Sequence, residues 1–156
     1  SSTRFQILML NLGALLSGKS WPQGESLALE HFARDLLERR YRSFRKAGRN
    51  IERLSHGELH ALRISGKKLR YAAEFFSPLY PAHAARDFLK AMAGIQDVLG
   101  AINDAATTNH LLDELSDTDR GGKCLVRGWV GCGTVHSLSR AGLQWKAFKT
   151  VVPFWK

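Results

Sequence analysis

Hydrophobic positions recur along this chain at intervals of three and four, the repeat that gathers side chains on one face of an α-helix. Phe5, Leu8, Leu12, Leu15 and Leu16 predict a first helix over residues 4–16. Residues 18–24, with glycine at both ends and Pro22, predict a loop carrying Trp21. The series Leu29, Phe32, Ala33, Leu36, Leu37, Phe44, Ala47 and Ile51 predicts a long helix over residues 26–53. Gly48 falls inside that helix, at a cost of about 1 kcal/mol relative to Ala. Ser55 and Glu58 have capping-box spacing and fix the start of a helix that should reach Phe76, its end bracketed by Pro78 and Pro81. A further helix is expected from Ala82 to about Leu115, with Phe88, Leu89, Met92, Ile95 and Leu99 facing inward and a bend at Gly100. Residues 116–122 read as a polar loop. Residues 123–150 read as a last helix weakened by Gly128, Gly131, Gly133 and Gly142. No segment alternates with a period of two, so the expected fold is all-α: a bundle of antiparallel helices, forming one domain over residues 1–156.

Composition leaves that picture standing. A chain of 156 residues, 44% hydrophobic, can bury a core without disulfides or a structural metal. The longest apolar stretch, residues 7–16, is interrupted by Asn11 and Gly13 and is too short to span a bilayer. The amino terminus lacks the pattern of a secretory signal, and Cys124 and Cys132 alone make no disulfide framework. Reduced cysteines in a cytoplasmic protein are therefore expected. The tryptophans are expected to pack in the core and along its rim.

Charge changes the picture. Lys and Arg number 23 against 14 Asp and Glu, a net +9. Residues 34–70 hold 12 of the bases and only four acids (Asp35, Glu38, Glu52 and Glu58), so this quarter of the chain carries +8 of the +9. A concentrated excess points to a site for an anion, whereas a diffuse one points only to solubility. At about 100° per residue, His60, Arg63, Lys67 and Arg70 share an arc of about 80°, a row of donors about 15 Å long, with Lys68 beside it. Arg42, Arg45 and Arg49 share an arc of about 60° on the preceding helix. The short connection makes the two helices antiparallel neighbours, so both rows are expected to line one groove. Glu38–Arg42 is a clear i,i+4 pair, and most of the other bases lack such an acid. The plainer alternative is two solvated faces whose long stems cover the bundle. His56 and His60 have the i,i+4 spacing of a metal pair, but no third ligand accompanies them, and no metal or cofactor is expected.

The segment from His60 through Arg63, Lys67, Lys68, Arg70, Tyr71 and Glu74 to Phe76 resembles the signature helix of the CHAD domain, the conserved histidine α-helical domain. Ile95-Gln96-Asp97-Val98-Leu99-Gly100, followed by Asn103-Asp104, resembles that family's second motif. Trp145, Phe148 and Pro153-Phe154-Trp155 resemble its carboxy-terminal end. The resemblance implies a helical domain that binds inorganic polyphosphate through a basic channel. It places His60, Arg63, Lys67 and Arg70, with Lys68, against the phosphates. Arg42, Arg45 and Arg49 are added from helical geometry alone. The family's domain resembles a duplicated pair of bundles, each with a basic signature helix. One such helix is present here, so the chain resembles the carboxy-terminal half. A second copy of the chain or an amino-terminal half would then complete the channel, and the implied location is cytoplasmic, at polyphosphate granules. Gln96, Asp97, Asn103 and Asp104 are expected to satisfy backbone amides or hold arginines.

Three other functions remain open at this point. Catalysis is not expected, because phosphate-ester hydrolysis needs a metal held by several carboxylates and no dense acidic cluster is present. The family's domain often accompanies a triphosphatase, so an accessory or regulatory role beside such an enzyme is an alternative. Nucleic-acid binding is another, since counterion release favours any phosphate backbone, though the aromatics are not interleaved with the basic rows. The third is a scaffold that docks on an acidic protein.

Overall fold

The computed structural model describes residues 26–115 and 120–156. Among them the chain forms α1 (Ser26–Ala47), a 3-10 turn (Ile51–Arg53), α2 (His56–Phe76), a second 3-10 turn (Ser77–Leu79), α3 (Ala82–Glu114) and α4 (Arg120–Thr150). No strand occurs among these residues, and the fold is an all-α bundle, as the periodicity predicts. The helix expected over residues 4–16 and the loop carrying Trp21 lie outside the described residues. The chain divides into two compact units, residues 1–32 and 33–156. Only the opening of α1 is described in the first, and the packing below is that of the second. No described helix is long and apolar enough to cross a membrane.

Each helix buries one seam at three-four spacing. On α1 the seam is Ala33, Leu37, Tyr41 and Phe44; on α2 it is Leu59, Leu62, Gly66, Leu69, Ala73 and Phe76. Helix α3 contributes Ala85, Phe88, Met92, Ile95, Leu99 and Ile102, and α4 contributes Val130, Ala141, Trp145 and Phe148. Contacts between α2 and α3 run from His60 with Asn103 to Gly66 beside Gln96, so these helices are antiparallel. Helices α3 and α4 are antiparallel too, since Asp113 pairs with Arg127 while Gly94 lies against Gln144. Gly66 lets α1 approach α2 closely: a Cβ there would stand 3.0 Å from the Phe44 ring.

Aromatic rings fasten α1 to the rest. Tyr41 meets Trp155 edge-on at 5.7 Å and Phe148 at 5.8 Å, and Phe44 meets Trp145 at 5.1 Å. Phe88 of α3 meets Trp155 at 4.8 Å. Such pairs contribute about 0.5–1.5 kcal/mol each beyond the area they bury. The chain end is therefore structural: Phe154 and Trp155 are core residues, and the Trp155 indole N–H donates to Glu38 Oε2 at 3.2 Å. That bond satisfies a donor that burial would otherwise leave unpaired.

Four details differ from the sequence expectation. Helix α1 stops at Ala47 rather than running to residue 53, and the following amides tighten to i→i−3 bonds, Arg49 to Lys46 and Arg53 to Asn50. Glycine is a poor helix former, and the Trp145 ring fills the space a side chain at residue 48 would need. Helix α3 continues through Gly100 without interruption, because Val98, Leu99 and Ile102 on either side are held in the core. Helix α4 begins at Arg120 and takes in two of the loop's glycines. Trp129 is 78% exposed and packs neither in the core nor at its rim, unlike Trp145 and Trp155.

Gly48→Ala would drive a methyl into a ring held between Phe44 and Phe148, and overpacking of this kind costs about 1–3 kcal/mol. Urea unfolding should show that loss, and a loss below about 0.5 kcal/mol would mean that Trp145 shifts freely. Burial raises the Glu38 pKa, but the hydrogen bonds from Arg42 and Trp155 and the charges of Lys156 and Arg42 outweigh it, leaving the pKa below the usual glutamate value. A carboxyl whose pKa is depressed by folding stabilises the fold above its unfolded pKa, about 4.3, and that contribution is lost as pH falls through the folded value. Glu38→Gln should therefore lower stability by about 1 kcal/mol or less at neutral pH, with the difference closing in acid, as thermal unfolding against pH would measure.

Candidate functional site

The site is built outward from α2. Its start is fixed by the expected capping box: the Glu58 amide donates to Ser55 Oγ at 3.4 Å, and the Ser55 amide donates to Glu58 Oε2 at 2.7 Å. The Ser55 hydroxyl donates to the same carboxylate oxygen at 2.6 Å. The side-chain bond from Ser55, with the backbone bond beside it, holds the Glu58 pKa below the usual glutamate range. With the start fixed, the buried seam has one rotational setting, and every cation on the helix takes its place relative to that seam.

Residues 60, 63, 67 and 70 follow the seam on one flank. His60 Nδ1 lies 2.7 Å from Asn103 Oδ1, so this flank borders α3. With Asn103 Oδ1 accepting, Nδ1 carries the proton and Nε2 is free for another partner. Arg63, Lys67 and Arg70 are half-buried along the same flank. Arg70 pairs with Glu74 at 3.0 Å and lies 5.1 Å over the Tyr71 ring, while its Nε is buried without a hydrogen-bond partner. Among the described residues no carboxylate pairs with Arg63 or Lys67. Helix α3 meets this flank with two amides, Asn103 and Gln96, whereas Asp104 lines a separate groove with Trp129 of α4. The expectation that Asn103 holds a neighbouring side chain thus applies to a histidine rather than an arginine.

Lys68 lies on the opposite flank, about 100° further round. There it lines a groove of about 410 Å³ between α1 and α2, with Arg40, Ser43, Ile64 and Ser65. Arg40 Nε is buried and unpartnered. Sequence reasoning counted Arg40 among the bases but did not single it out. Its signal was its position one step outside the Phe44 seam, on the side that meets α2.

The groove between α1 and α2 was expected to hold both basic rows, and it holds neither. Arg42 is bound to Glu38 at 2.7 Å and borders a pocket with Trp155 and Lys156. Arg45 lies 5.6 Å over the Tyr41 ring, and Arg49 lines a pocket with Lys146 and Lys149. Setting Ala33, Leu37 and Phe44 inward turns Arg42, Arg45 and Arg49 toward α4 and the chain end, away from α2. The α2 row meanwhile turns toward α3. Short connections make helices antiparallel neighbours, but they do not decide which edges face each other. That depends on where each buried seam points.

No set of three His, Cys, Asp or Glu side chains able to hold a metal occurs among the described residues, and Cys124 and Cys132 are free and exposed. The arrangement offers donors and positive charge: a half-buried row on one flank of α2 and an Arg–Lys groove on the other. Either can accept an acceptor-rich anion through charge-assisted hydrogen bonds.

No curated protein matches the chain closely enough to count as a relative. A family model described as CHAD domain matches residues 1–113, from the amino terminus through nearly all of α3. The match takes in α2 and the Gln96–Asp104 segment and stops short of α4, so Trp145 and Phe148 lie beyond it. With more than half its length matched, including the helix that carries the basic row, this chain belongs to the CHAD domain family, a family linked to polyphosphate binding.

Proposed function

We propose that this module binds inorganic polyphosphate along α2, without turning it over. One observation carries the proposal: α2 presents cations that pair with no described carboxylate on both flanks of its buried seam, Arg63 and Lys67 on one and Lys68 on the other, in a chain of the CHAD family. His60, Arg63, Lys67 and Arg70 form the first contact row, and Lys68 with Arg40 forms the second. Arg63 can grip a phosphate in bidentate fashion and Arg70 can do so on exchanging Glu74 for phosphate, while Lys67 and Lys68 act as point charges. Asn103 keeps the His60 ring in place with Nε2 outward. Arg42, Arg45 and Arg49 belong to a different face and add to the general field rather than to this contact.

Phosphates repeat along a flexible chain, so a row of donors about 15 Å long can engage several at once, and each contact releases counterions. Binding of long polyphosphate should therefore weaken steeply from low to high salt in fluorescence or calorimetric titrations. A flat salt response would remove the ionic basis of the proposal. Arg63→Ala with Lys67→Ala should weaken binding about tenfold or more and reduce the salt slope by about two contacts, with helicity by circular dichroism unchanged. Arg42→Ala with Arg45→Ala should cost less, because that pair faces away from α2. Competition with DNA of matched charge separates the two polyanions, and preference for DNA would favour a nucleic-acid function. Incubation with triphosphate and magnesium should release no phosphate, and turnover would make the module an enzyme.

A further inference from the structure

A second cationic pocket lies away from α2. It has a volume of about 370 Å³, within the range of small-ligand sites, about 300–1,000 Å³, and no α2 residue lines it. Arg49 enters it from the connection after α1, Arg53 from the 3-10 turn that follows, and Lys146 and Lys149 from the last turns of α4. Trp145 forms part of its wall, and the buried indole N–H of Trp145 has no hydrogen-bond partner. Among the described residues Glu52 is the one carboxylate that lines the pocket. It is turned against Gly142, where a side chain would collide with it, and it makes no ion pair with any of the four cations.

Helix ends explain only part of this clustering. The carboxyl ends of α1 and α4 both lie beside the pocket, and each presents about half a negative charge. Those two ends with Glu52 offset about two of the four positive charges, so about two remain without a counter-charge. Cations from two separate segments around one concavity, with about half of their charge uncompensated, match the needs of a compact multivalent anion. The small volume suits a short chain of phosphoryl groups better than a long polymer.

We infer that the pocket formed by Arg49, Arg53, Lys146 and Lys149, with the Trp145 ring as part of its wall, is a binding site for a compact oligophosphate. The oligophosphate is either a free species or the end of a longer chain. The site does not rest on the proposed role of α2, because the two share no residue.

The test is titration of the full chain with inorganic triphosphate, followed by calorimetry and by the indole N–H resonances in proton–nitrogen spectra. The Trp145 signal is assigned by sequential connectivities, so no tryptophan variant has to fold. At saturation the Trp145 indole signal should shift, because its ring forms part of the pocket wall, and Lys146→Ala with Lys149→Ala should weaken the titration of that signal at least tenfold. The same signal should still respond in Arg63→Ala with Lys67→Ala, which reports on α2 alone. A parallel titration with long polyphosphate distinguishes the sources: a Trp145 shift with both ligands identifies a chain end, and a shift with triphosphate alone identifies a free oligophosphate. An unmoved Trp145 signal at saturating triphosphate would overturn the inference. So would a titration that Lys146→Ala with Lys149→Ala leaves unchanged. Loss of long-chain binding in the α2 variant, with the Trp145 response intact, would leave both sites standing.

Discussion

Burial of one seam on α2 constrains the rest of this molecule. Leu59, Leu62, Gly66, Leu69, Ala73 and Phe76 must leave water, and α1 and α3 supply the surfaces that receive them. Once the seam is set, the cations beside it cannot follow it inward, because an unpaired buried charge costs several kcal/mol. They come to rest at the two borders of the seam, where Arg63, Lys67 and Arg70 are half-covered on one side and Lys68 stays exposed on the other. That position matters chemically. A cation with its stem packed and its head in water has lost part of its freedom already, so engaging an anion costs it less order than it would cost a fully mobile lysine.

The same constraint explains the aromatic closure of α1. Tyr41 and Phe44 can face inward only if something on the far side fills the space around them, and the rings of Phe148, Trp145 and Trp155 do so. Residues beyond the family match are thus part of the core that orients α1. Glu38 links two roles here, holding Arg42 on the surface and the Trp155 indole at the core's edge. Its partner Arg42 is therefore committed to folding, while Arg63 and Lys67 are not committed to any carboxylate.

Helix periodicity made the bundle legible. The limits of α2 were readable to the residue because Ser55 and Glu58 cap its start and Pro78 follows its end. The end of α1 was not, because a lone glycine in a helical pattern does not by itself mark a helix end, and the Trp145 ring that rests on Gly48 comes from almost 100 residues away in sequence. The members of each basic row were also legible, since one helix fixes their relative directions. Which helix each row faces was not. Sequence spacing gives angles within a helix but not the rotation of one helix against another, and that rotation comes from the combined seams of four helices. Arg40 and the lysines of α4 went unnoticed for this reason: each sits beside its own seam, and only packing brings it to a groove or pocket.

Spreading the cations over several faces has a physical consequence. Had both rows met in one cleft with Lys68, seven like charges would have been held together at a cost to the folded state, with only a bound anion to offset it. Separated by seams and by the α1 aromatic cluster, the rows repel each other less, and some are neutralised locally by Glu38 or Glu74. The remaining charge then falls into places of different shape. An open row along α2 suits a long flexible anion whose phosphates repeat. A pocket between a turn and α4 suits a short one whose charge is concentrated. One excess of arginine and lysine can therefore present two surfaces with different length preferences, because packing sorts the same side-chain chemistry by geometry.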